Sequence, residues 1–124
     1  MHEQPPAAEW VRKRQSTFHL DAIEEVASAV ERHPVVVVGM SVNPHVKRAR
    51  RILDQGGWAH HDLDFGGYHS QWRRRLAIKL WARWPTFPMV FVNGTLVGGA
   101  DDLQRMVATG ALDAWVSRAG SGVE

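Results

Sequence analysis

Two short runs carry the densest chemistry in this 124-residue chain: Trp84-Pro85-Thr86-Phe87-Pro88, and Gly98-Gly99-Ala100-Asp101-Asp102. The Thr-Phe-Pro triplet falls between a helical pattern and an apolar strand. A proline at such a turn can be cis, and a cis Pro88 would turn the N–H and C=O of Phe87 sideways toward an extended peptide. Gly98-Gly99 leads out of a hairpin into a helix whose first N–H groups lack intrahelical partners and suit a carboxylate. Asp101 sits at that helix start, where it can also serve as a cap. A backbone edge and a helix N-terminus together fit a small anionic, peptide-like ligand.

A second constellation is Asn43-Pro44-His45-Val46. Asparagine caps helices well and proline fits the first helical position, so His45 falls in a first turn, as a candidate base or ligand. Ser41 and Tyr68 could add hydroxyls, but no Ser-His-Asp set is legible in their order. His60 and His61 are adjacent on an expected strand and point to opposite faces, so no metal site is expected. The chain contains no cysteine. Disulfides, thiolate catalysis and cysteine-ligated metal are therefore excluded.

The elements that must position these residues follow from periodicity. Ile23, Val26, Ala27 and Val30 recur at helical spacing over Leu20 to Arg32, with Asp21 and Glu24 as a capping pair, and His33-Pro34 ends the helix. Val35-Val36-Val37-Val38-Gly39 is apolar on both faces, as in a strand covered by helices. Val46, Ala49, Ile52 and Leu53 give the next helix its stripe, and Gly56-Gly57 its stop. Trp58 to Phe65 alternates weakly and is expected as a second strand. Ser70 should cap a helix running to about Arg83, with Trp72, Leu76, Leu80 and Trp84 facing inward. Met89–Val92 and Thr95–Val97 flank Asn93-Gly94, a strong signal for a two-residue hairpin. A last helix runs from about Asp101 to Thr109, Gly110 stops it, and Leu112 to Trp115 add a turn. The order α-β-α-β-α-β-β-α implies a four-stranded mixed sheet flanked by helices, with a site where the first strand enters the second helix.

Composition places these elements in one domain, expected over residues 18–116, with a flexible arm at 1–17 pinned by Trp10 and a flexible tail at 117–124. The apolar fraction of 44% and charged fraction of 23% are those of an ordinary globular protein. No run is long enough to span a bilayer and the first residues lack a signal's apolar stretch, so a cytoplasmic location is expected. The formal charge is +2. Lys47, Arg48, Arg50 and Arg51, and again Arg73, Arg74 and Arg75, read as solvated helix faces, and no nucleic-acid module is present. These basic helices, or a patch at Trp81 and Trp84, are also candidate docking surfaces for a protein partner.

Pro34-Val35-Val36-Val37-Val38, Trp84-Pro85-Thr86-Phe87-Pro88, Val92-Asn93-Gly94 and Val97-Gly98-Gly99-Ala100-Asp101, in this order over about Leu20 to Trp115, resemble a glutaredoxin. The resemblance is greatest to the single-thiol (monothiol) class, which carries an extra N-terminal helix. It implies a thioredoxin-like fold and a glutathione site. In that site Thr86 and the Phe87 backbone beside Pro88 would hold the tripeptide's middle. Asp101, with the N–H groups around Gly99 and Ala100, would take its γ-glutamyl end, and Lys79 its glycyl carboxylate.

The chain departs from that pattern where the chemistry resides. Asn43 stands at the reactive cysteine's place, Val46 at that of a second thiol, and Met40 at that of a lysine used for the glutathione carboxylate. Neither asparagine nor valine forms a mixed disulfide, so the family's thiol–disulfide exchange is excluded. An iron–sulfur cluster of the family type would lose its protein ligand. The expectation is a cysteine-free glutaredoxin-like protein that needs no cofactor and binds glutathione or a similar small thiol or peptide. Two alternatives are a non-redox enzyme using His45 or Asn43 in the same pocket, and a protein-interaction module.

Overall fold

A computed structural model describes residues 6, 8, 9, 19–66 and 71–121, with side chains as far as Ser117. Most of the expected 1–17 arm with Trp10, together with Tyr68 and Ser70, lies outside the described residues. The elements are α1 (Leu20–Arg32), β1 (Val35–Gly39), α2 (Pro44–Gly56), β2 (His61–Asp64), α3 (Trp72–Ala82), β3 (Met89–Val92), β4 (Thr95–Gly98), α4 (Ala100–Thr109) and α5 (Ala111–Ser121). The strand order is β2-β1-β3-β4, with β1 parallel to β2 and antiparallel to β3, and β3 antiparallel to β4. α1 packs with α3 and α2 with α4, and both α1 and α2 lie against β1. The valines of β1 are buried on both sides as a result.

Local signals set most boundaries. Asn43 caps α2 with Pro44 behind it, and Gly57 closes it in the left-handed region at φ 78°. Asn93 and Gly94 both have positive φ, as a tight hairpin matching strand twist requires.

Several expectations are corrected. α1 is preceded by His19, which gives it no side-chain cap, and the Asp21 carboxylate is held by Arg74 at 2.7 Å instead. Its deepest residues are Ala22, Val26 and Ala29. β2 is only His61–Asp64, since Trp58 packs against the core edge and donates to Asp113 at 3.0 Å, and His60 turns to two carboxylates. α5 continues to Ser121, into the expected tail, where only a turn over Leu112–Trp115 was expected.

The largest correction concerns α3. Trp72, Leu76 and Leu80 face outward, with Leu80 65% exposed, whereas Ala77 and Ile78 enter the core. Neighbouring contacts set this rotation. Arg75, expected on a solvated face, is buried and donates to the Phe65 carbonyl at 2.8 Å, and Arg74 reaches Asp21 and Glu25 on α1. Of the three expected to point inward with Trp84, none does, although Trp84 itself packs against the core.

Candidate functional site

The end of β1, the turn before β3 and the start of α4 converge on a cleft of about 600 Å³. Two glycines allow that approach. A Cβ on Gly39 would lie 2.5 Å from Val46 and 3.4 Å from the Phe87 Cβ, so its absence lets α2 and the Phe87 turn close on the strand end. Gly98 has φ 123°, and a Cβ there would overlap the Asp102 carboxylate, which folds back to accept the Gly99 N–H at 2.9 Å.

Every ligand-binding residue expected from the sequence lines this cleft: Lys79, Thr86, Phe87, Pro88, Gly99, Ala100 and Asp101. The Phe87–Pro88 bond is cis. Among the described residues, none hydrogen-bonds the N–H or C=O of Phe87. The Phe87 side chain is buried beneath them, with the Lys79 Nζ 5.3 Å above its ring. Asn43 and His45 reach the same space, at the far end of β1. Asn43 Oδ1 accepts the His45 N–H at 2.8 Å, which leaves its amide nitrogen as the donor available to a ligand. Ser41 instead ties the turn to β2, its N–H donating to Asp64 at 3.1 Å. Burial works against the charged form of Asp64, but hydrogen bonds from Ser41 and Gly66 and the charge of Arg50 outweigh it and hold its pKa below 3.8.

Three lining residues escaped the sequence reading in this role. Arg75 lies one helical turn before Lys79 on α3, a spacing that could have placed both on one wall. Asp102 follows the expected helix start and could have been read as its capping residue. Arg48 donates to Asp101 Oδ1 at 2.6 Å and to Gln104 at 3.0 Å. No local signal announces a contact across 53 residues. Its hydrogen bond first, then its charge, hold the Asp101 carboxyl below its ordinary range, with smaller help from His45 and Arg105. Trp84 also lines the cleft, and its Nε1 is buried without a hydrogen-bond partner among the described residues. Trp81 is instead partly exposed, beside Phe91.

No family model matches the chain. Against curated proteins it is 42% identical over 97 residues to the "Glutaredoxin-like protein" of Dictyostelium discoideum, covering 78% of this chain and 79% of the relative. The chain belongs to the glutaredoxin family. "Glutaredoxin-C6" of Oryza sativa subsp. japonica is 32% identical over 100 residues, covering 81% and 86% of the two chains. The fold has the same neighbours. The crystal structure of a buckwheat glutaredoxin–glutathione complex aligns with a TM-score of 0.73 at 21% identity, over 84% of this chain and 94% of that one.

As a glutaredoxin, the chain is set apart by its donor atoms. With no cysteine anywhere, it has no thiolate to offer an iron–sulfur cluster, and the amide at Asn43 is a poor substitute for soft iron ligation. Among the described residues, no group of three or more His, Asp or Glu side chains is placed to hold a metal ion. No helix among them is long and apolar enough to cross a membrane.

Proposed function

We propose that this glutaredoxin-family chain binds glutathione, or a small thiol or peptide of similar shape, without thiol–disulfide exchange. One observation carries the reading. The cleft joins a Phe87 backbone edge that no described residue pairs with, the Lys79 ammonium and the first turn of α4. An extended peptide can pair with the edge as with a β-strand, and its carboxylates find cations and N–H groups at the two ends. A relative of the same fold, from buckwheat, was solved with glutathione.

At the start of α2 the cleft is lined by Asn43 and His45, with Met40 beside them, and none of the three can form a mixed disulfide. A small thiol bound there would be held without a covalent bond. Calorimetric titration of reduced glutathione into the full chain tests the reading. Saturable heat, weakened about tenfold or more by Lys79→Met, supports it. No heat and no amide chemical-shift change at millimolar ligand overturns it.

A further inference from the structure

Both carboxylates that line the cleft are already engaged. Asp102 accepts the Gly99 N–H at 2.9 Å, and Asp101 accepts from Arg48 at 2.6 Å. Arg48 is held on two sides, since its other terminal nitrogen donates to Gln104 one turn along α4. Its guanidinium is thereby fixed over the first turn of that helix. Among the described residues two of its five N–H groups are used, and the remainder can meet a ligand.

The charges on the walls are correspondingly one-sided. Arg48, Arg75 and Lys79 face two carboxylates, and Asp101 presents itself as half of an ion pair. A ligand ammonium arriving at α4 meets a carboxylate already paired with a guanidinium. A ligand carboxylate meets the unspent donors of that guanidinium.

We propose that Arg48 sets the ligand preference of the cleft, masking Asp101 so that the α4 end selects a carboxylate over an ammonium. This rests on the glutathione-type reading of the cleft. Of the two charged groups on the γ-glutamyl end, the α-carboxylate then provides the recognition and the α-ammonium adds little. Acid-terminated thiols and peptides without a free amine belong to the same ligand class.

Three probes separate the groups: glutathione, glutaryl-cysteinylglycine, which lacks the amine, and 4-aminobutanoyl-cysteinylglycine, which lacks the α-carboxylate. Each is titrated calorimetrically into the full chain and into Arg48→Met and Arg48→Lys. In the wild type, removing the amine should change the affinity less than about threefold, and removing the carboxylate should weaken it about tenfold or more. Arg48→Met should reverse that order by freeing Asp101, and Arg48→Lys should keep the wild-type order. Circular dichroism confirms that the variants fold. Glutathione binding with the amine as the dominant group, or an unchanged order in Arg48→Met, overturns the role of Arg48 alone. If none of the three probes binds, the glutathione-type reading falls and this inference with it.

Discussion

Asn43 Oδ1 accepts the His45 N–H at 2.8 Å, so this asparagine closes the first turn of α2. Replacing it by alanine leaves that N–H without its partner. Asn43→Ala should lower unfolding stability by about 1 kcal/mol in urea titrations, while Asn43→Ser should stay within a few tenths. Asn43→Cys should cost a similar amount and restore chemistry. A thiol at a helix N-terminus ionises more easily, and its thiolate can attack oxidised glutathione, displacing one glutathione thiolate and keeping the other as a mixed disulfide. Mass spectrometry should show that adduct in Asn43→Cys and none in the wild type. The cap was legible because Asn-Pro before an apolar stripe is a local signal. The Arg48–Asp101 pair was not, because only the packing of α2 against α4 brings the two side chains within 2.6 Å.

On α3 the sequence and the fold disagree for a physical reason. Trp72, Leu76 and Leu80 form a tidy row four residues apart, but Ala77, Ile78, Trp81 and Ala82 place apolar groups around the rest of the helix. With two apolar faces available, periodicity does not decide which turns inward. The bonds from Arg75 to Phe65 and from Arg74 to α1 do. Ile78→Ala should therefore cost about 2–5 kcal/mol, as expected for a fully buried aliphatic side chain. Leu80→Ala, at a site 65% exposed, should change stability by no more than about 0.5 kcal/mol. Chemical denaturation of the two variants checks the orientation directly. At the start of α4, Gly98→Ala forces a Cβ into the Asp102 carboxylate at a left-handed φ. It should destabilise the chain by about 1–3 kcal/mol and weaken any ligand held by that helix end.

Across the molecule, α2 and the edge strand β2 are joined by His60, which contacts Asp54 at 2.6 Å and Asp62 at 2.7 Å. Arg50 lies 3.5 Å from Asp62 on the same network. Burial of His60 disfavours its charged form, but the hydrogen bonds to Asp54 and Asp62, with their charges, outweigh it and raise the pKa above 6.5. A raised folded-state value contributes stability that is complete below about pH 6.5 and disappears as pH rises through the folded value. Urea midpoints across about pH 4 to about pH 9 should fall on the alkaline side, and His60→Gln should flatten that fall. Asp64 and Asp101 act in the opposite sense, because their values are lowered: their contribution is present above 3.8 and is lost as pH falls through the folded values. By itself, the sequence determined the element order from α1 to α4, the hairpin and the α2 cap, because each depends on neighbours within a few positions. Tertiary structure decided which face of α3 is buried, that Arg75 lies inside, and that Arg48 meets Asp101. Those outcomes depend on the relative placement of helices and strands far apart in the chain, which local pattern does not encode.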